Sequence, residues 1–114
     1  MREIPLRKVQ VTPPGIIEPQ MFVYSDMMLL VLTKKEPGQG MDFAEMERAL
    51  SVSKAIRTAV EAGRETALLE TADFDYLKGR LLGFRNWQIA DEAIAEMIRS
   101  VRDAPEVDLN KQSV

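Results

Sequence analysis

The sequence predicts an α-dominant α+β protein with about four helices and a short two-stranded β element. Several segments repeat apolar residues at three- and four-residue steps, which is the pattern of amphipathic helices. Residues 3–11 and 66–70 are short apolar segments of strand length. The 114 residues, 46% hydrophobic and 29% charged, have the size and composition of one folded domain.

The chain is expected to form one globular domain over residues 1–105. Residues 1–21 are predicted to be an extended strand and arm, because the segment alternates apolar and polar residues and then contains three prolines. Residues 22–105 are predicted to be the helical core. The polar residues 106–114 follow Pro105 and are predicted to form a flexible C-terminal tail.

The predicted β element pairs residues 3–11 with residues 66–70. Pro5 suits an edge strand, since a residue without an N–H is tolerated there. Two strands need a helical layer beneath them to be stable, and the helical segments are expected to supply it.

The first helical segment is the least distinct. The apolar run at residues 22–32 fits a helix or a buried strand by periodicity. Ser25 as an N-cap, with Lys34 and Lys35 complementing the C-terminal dipole, favours the helix.

The clearest helix begins at Asp42, which has capping-box spacing to Glu45, and ends before Gly63. One face carries its apolar residues and is expected to be buried. These residues are Phe43, Met46, Ala49, Leu50, Ser53, Ile56 and Val60.

Two further helices follow. One begins near Thr71 and has an apolar stripe ending at Phe84. The other begins at Asp91 and stops before Pro105.

The amino-acid composition argues against many common catalytic mechanisms. Cysteine and histidine are both missing from the sequence, as are the glycine-rich phosphate-binding patterns. The carboxylate clusters have no ligand spacing and are typical of first-turn acids at helix ends. We therefore predict no catalytic residue, cofactor or metal site and a non-enzymatic protein. An enzyme using carboxylates and a bound cation is the weakest alternative.

Charge and hydropathy bear on location and partners. The longest apolar run, six residues, is far shorter than the roughly 20 residues of a membrane-spanning helix, so no membrane association is expected. The protein is expected in the cytoplasm. A net charge of −3 does not favour nucleic acid as a partner.

Residues 46–60 nevertheless contain Ala-Leu-Ser-Val-Ser, which resembles the turn of helix-turn-helix DNA-binding proteins. On that alternative, the DNA-contacting residues are Arg48, Lys54, Arg57 and Thr58. One continuous helix also explains the apolar spacing of this segment, and we prefer that interpretation.

Four residues are candidates for a protein interface, because each is out of place on its predicted element. Arg57 lies within an apolar stripe, Tyr76 and Leu82 lie off the stripe of their helix, and Trp87 lies in a loop. These residues favour a protein partner, or homo-oligomers of this chain.

Three segments resemble small accessory proteins encoded by phages and prophages. Gly40 to Met46 matches a G-M-x-x-x-E-M helix start, and Leu69 to Leu77 matches an L-E-x-x-D-x-x-x-L strand-to-helix junction; residues 87–98 extend the likeness. The resemblance spans about residues 22–104. It implies a virion-assembly or morphogenesis factor, or a protein that binds a host protein in the host cytoplasm, and it supplies no catalytic residue.

Overall fold

A computed structural model of the protein describes residues 1–12, 15, 17–35, 38–85, 87 and 91–107. These residues contain four helices and four short strands, which confirms the α-dominant α+β class. The strands are β1 (Arg2–Pro5), β2 (Lys8–Val11), β3 (Gln20–Val23) and β4 (Thr66–Leu69). The helices are α1 (Tyr24–Thr33), α2 (Phe43–Glu61), α3 (Thr71–Gly83) and α4 (Glu92–Arg102).

The β element is divided into two antiparallel pairs, so the single strand predicted over residues 3–11 is wrong. β1 pairs with β4, as expected for these segments, and β2 pairs with β3. The segment to which residues 2–11 are hydrogen-bonded changes between Leu6 and Arg7. The Leu6 N–H still donates to the Glu65 carbonyl, whereas the Arg7 carbonyl already accepts from the Tyr24 N–H.

The arm predicted before residue 22 therefore contains β3, which the proline content concealed. β3 begins directly after Pro19 and pairs Gln20 with Val11 and Val23 with Lys8. Pro13 and Pro14 lie outside the described residues.

The C-terminal segment is attached to β1 beyond the predicted domain boundary. The Glu3 N–H donates to the Pro105 carbonyl, and the Val107 N–H donates to the Met1 carbonyl over 2.7 Å. The predicted flexible tail therefore starts no earlier than residue 108, and residues 108–114 lie outside the described residues.

The apolar run that fitted either a helix or a buried strand forms the helix α1. Its N-cap is Val23, whose apolar side chain offers no capping oxygen, and Ser25 lies inside the first turn and is buried. The predicted Ser25 cap is wrong because β3 runs directly into the helix, which leaves no loop residue to act as a cap.

Both ends of α2 form as the sequence predicts. The Asp42 carboxylate accepts from the Glu45 backbone N–H at 2.7 Å, which satisfies one of the free donors of the first turn. At the other end Gly63 has a φ of +71°. The Gly63 N–H donates to the Val60 carbonyl and the Arg64 N–H to the Ala59 carbonyl, which is the Schellman pattern.

The core lies where α1, α2, α3 and the β1–β4 pair meet, with α4 packed on α3 and β1. α1 contributes Tyr24, Met28, Val31 and Leu32, and α3 contributes Phe74, Leu77 and Leu81. The apolar stripe predicted for α3 is therefore confirmed as its buried face. The remaining fully buried large side chains come from both strands and the other helices: Ile4, Val52, Ile56, Leu69, Met97 and Val101.

Candidate protein-interaction surface

The buried face of α2 is rotated away from the one that the sequence predicts. Ala49, Ser53 and Ile56 are buried as expected, and they are joined by Val52 and Ala59. Most of the side chains on this face are small or β-branched. α1, α3 and β4 all pack on α2, and short side chains allow such close approach of several elements.

The large apolar side chains of the predicted stripe are left on the surface. Phe43 is 72% exposed, Leu50 55%, Met46 47% and Val60 43%. We call these four residues the α2 outer face. Exposed apolar patches mark interaction sites, and here four large apolar side chains lie on one side of a single helix.

Sequence reasoning missed this surface, although the sequence contains a signal for it. Phe43, Leu50 and Arg57 are spaced by seven residues, and so are Met46, Ser53 and Val60. A repeat of this kind averages 3.5 residues and is typical of helices that pair side by side. The exposed Arg57 lies in that row, which is what its position in the stripe predicted.

Charged residues border the α2 outer face on its solvent side. Glu47, Lys54 and Glu61 are exposed and, like the apolar residues, follow a seven-residue spacing. Along this side of the helix, the charges are acidic at 47, basic at 54 and 57, and acidic again at 61.

Tyr76 is used inside the chain. Its hydroxyl donates to Glu45 Oε2 at 2.9 Å and accepts from Arg80 at 2.7 Å, while Lys35 Nζ lies 2.8 Å from the same carboxylate. The Lys35 hydrogen bond lowers the pKa of Glu45, partly opposed by desolvation, and Tyr76 lowers it further. Desolvation raises the pKa of Tyr76, partly opposed by Arg80. This cluster explains the off-stripe position of Tyr76 without a partner protein.

Arg80 also caps the C-terminus of α1 by hydrogen bonding to its last carbonyls. Its guanidinium donates to the carbonyls of Val31, Leu32 and Lys34, and its side chain is 10% exposed. The last carbonyls of a helix have no partner within the helix. Arg80 therefore fastens α3 to the C-terminus of α1.

The remaining interface candidates lie apart from this cluster. Leu82 is 54% exposed and is six residues from Tyr76, so the two occupy different sides of α3. Trp87 is half-buried and packs edge-on against Phe84, with ring centroids 4.7 Å apart. Most of its surroundings in the loop, Asn86 and residues 88–90, lie outside the described residues. Tyr76 and Leu82 therefore do not share one surface.

The helix-turn-helix alternative lacks its defining turn. Residues 46–60 lie within the single helix α2, because the buried row Ala49, Val52, Ser53 and Ile56 continues through the expected turn without a break. Arg48 is paired with Asp73 at 2.6 Å. Lys54, Arg57 and Thr58 are exposed on α2. Their contact with DNA stays a prediction.

One surface groove of about 500 Å³ lies between β1, β4 and α4. Its charges are mixed: Arg7 and Arg99 face Glu3, Glu96 and Asp103. Arg99 is already paired with Glu92 and Glu96. Among the residues that the structure describes, no three acidic side chains gather in a way that would hold a metal ion.

The helices within the described part of the chain are all too short or too polar to cross a membrane.

The fold and surface together define an α-dominant α+β protein with an exposed apolar helix face. No family model, no curated protein and no solved structure matches this chain.

Proposed function

We propose that this chain is a non-enzymatic protein-interaction module that binds its partner through the α2 outer face. The observation that carries the proposal is the row of four large apolar side chains, 43% to 72% exposed, on a helix whose other face is packed in the core.

Hydrophobic burial gives this surface its driving force. Fully burying one large apolar side chain contributes about 1.5–3 kcal/mol. The four side chains here retain about half of their surface for a partner, so together they offer on the order of 3–6 kcal/mol before the costs of association. This is the share of the driving force that this chain supplies; the apolar surface that the partner buries adds to it, and ion pairs at the edges fix the orientation.

The resemblance to phage and prophage accessory proteins supplies the biological setting of the proposal. In that setting the module acts in virion assembly or morphogenesis, or it binds a host protein. Both roles need a recognition surface and neither needs catalytic residues, which agrees with the lack of cysteine and histidine.

The test compares two leucines of nearly equal exposure. Leu50 on the α2 outer face is 55% exposed and Leu82 on α3 is 54% exposed. Tagged wild-type, Leu50→Glu and Leu82→Glu chains are used for affinity purification from the native host, with mass spectrometry, and each captured protein is then purified and its Kd measured. We expect Leu50→Glu to weaken binding at least tenfold and Leu82→Glu to leave it unchanged.

The opposite pattern would move the interface to α3. Equal binding by all three chains would reject the α2 outer face as the recognition surface. Circular dichroism of each variant verifies that the substitution has left the helices intact.

A further inference from the structure

We propose that the partner of the α2 outer face is a second copy of this chain, bound so that two α2 helices pack antiparallel. The proposal rests on the proposed function, because it assigns an occupant to the same face. Its basis is the spacing of Glu47 and Arg57 on the exposed side of α2, which brings each of these residues opposite the other when one helix is reversed.

The seven-residue spacing fixes which side chains meet. Phe43, Leu50 and Arg57 form one row, and the neighbouring row is Glu47, Lys54 and Glu61. All six are exposed. Ser53, which continues the other row between Met46 and Val60, is 1% exposed and bonds to the Ala49 carbonyl. The seam between two copies is therefore formed by the exposed rows rather than around Ser53.

A twofold axis at the level of Val52 brings opposite charges together. Glu47 and Arg57 are equally distant from that residue along the helix. In an antiparallel pair, Glu47 of each copy lies opposite Arg57 of the other, which gives two equivalent ion pairs. A parallel pair would place Glu47 beside Glu47 and Arg57 beside Arg57, so the charge order selects the antiparallel arrangement.

The same axis buries the apolar side chains. The two copies of Leu50 flank the axis and contact each other together with the aliphatic stems of Lys54. Phe43 at one end lies at the level of Glu61 of the other copy, one residue from Val60, and Met46 lies at the level of Thr58, one residue from the stem of Arg57. Each exposed apolar residue of the α2 outer face thus gains an apolar neighbour.

The experiment is a charge exchange, measured by sedimentation equilibrium of the full chain over a range of concentrations. Wild-type protein is expected to be a dimer at about 100 µM. The Glu47→Arg variant sets two arginines against each other in each of the two pairs, and the Arg57→Glu variant sets two glutamates against each other. Each variant alone is expected to dissociate at least tenfold more readily than wild type. In a heterodimer of the two variants, each of the two contacts joins an arginine to a glutamate, so mixing the two variants is expected to restore the dimer.

A double variant supplies the rescue. Glu47→Arg combined with Arg57→Glu in one chain reverses both charges, so each contact again joins an arginine to a glutamate. The double variant is therefore expected to dimerise with an affinity close to that of wild type, although each single change weakens the dimer.

Leu82→Glu is the control and is expected to remain dimeric. A monomeric wild type would overturn the second copy as the occupant. A dimer that Glu47→Arg and Arg57→Glu leave unaffected, or that the double variant fails to restore, would overturn the antiparallel register.

Failure of this inference is distinguishable from failure of the proposed function. A monomeric wild type that still binds an identified protein in a Leu50-dependent manner would leave the α2 outer face as a recognition surface for a different partner.

Discussion

The Tyr76 hydroxyl donates a hydrogen bond of 2.9 Å to the carboxylate of Glu45, and this bond joins α3 to the first turn of α2. Arg80 extends the connection to the C-terminus of α1. Three helices are thus linked at one end by a polar cluster, while the apolar core joins them along their length. This cluster, rather than a partner, accounts for Tyr76.

Replacing Arg80 with methionine is expected to lower the free energy of unfolding by about 2–4 kcal/mol. The substitution removes the donors for the carbonyls of Val31, Leu32 and Lys34; the bonds to the first two are partly buried, and the bond to the third is exposed. Chemical denaturation measures the change. Arg64, which is exposed, provides the matched control Arg64→Met with a change within about 0.5 kcal/mol. Equal effects at the two arginines would contradict the anchoring role.

Glu45 is expected to make stability depend on pH in the acidic range. Its pKa in the folded chain is lowered from the ordinary value of 4.5, chiefly by the Lys35 hydrogen bond. A lowered folded-state pKa means that this contribution is complete above the unfolded-state pKa and is lost as the pH falls through the folded-state pKa.

The side chain is 26% exposed, so the effect is expected to be below about 1 kcal/mol. The free energy of unfolding, measured from pH 7 to pH 3, is compared between wild type and Glu45→Gln. The difference between the two proteins should shrink as the pH falls below about 4.5. A difference that is constant over this range would show that the carboxylate charge does not stabilise the fold.

Two apolar residues of α2 are expected to respond very differently to truncation. Ile56 is fully buried, so Ile56→Ala is expected to cost about 2–5 kcal/mol through lost contacts and a cavity. Leu50 is 55% exposed, so Leu50→Ala is expected to cost less than about 1 kcal/mol within one chain. Thermal unfolding is measured at low protein concentration, so that self-association does not contribute to the measured stability. Comparable losses at the two positions would mean that the buried face of α2 is the one the sequence stripe predicted.

The C-terminal cap of α2 depends on Gly63. Its φ of +71° lies in the left-handed region, which costs about 1 kcal/mol for a residue with a Cβ. Gly63→Ala is expected to lower the free energy of unfolding by about that amount, measured by chemical denaturation. Gly40 has no positive φ and no atom within 4 Å of an added Cβ, so Gly40→Ala is the control and should have little effect. A neutral Gly63→Ala would argue against the Schellman cap.

The ends of the helices are largely readable from the sequence, because they depend on local chemistry. Asp42, Asp91 and Gly63 each act within a few residues of their own position, and all three perform the predicted role. The predicted start near Thr71 is confirmed, since α3 begins at Thr71; its N-cap is Glu70, which makes no side-chain capping bond. α1 likewise has no side-chain cap at Ser25, because in both cases a strand leads directly into the helix.

The strands are only partly readable. The sequence predicts the pairing of β1 with β4, but it does not predict the change of partner after Leu6. Both halves of residues 3–11 have strand-like composition, and nothing local distinguishes a continuous strand from two strands with different partners. The hydrogen bond between Arg7 and Tyr24 depends on residues far apart in the sequence.

The sequence by itself determined the class of the fold, the positions of the helices and the caps of α2, since each follows from interactions over a few residues. Only the tertiary structure decided which face of α2 is buried. Apolar spacing selects the largest side chains, Phe43 and Leu50, whereas packing against α1, α3 and β4 selects the face where Ala49, Val52 and Ala59 allow close approach. The difference between these two faces leaves the α2 outer face exposed, and the charges beside it then lie where a partner could meet them.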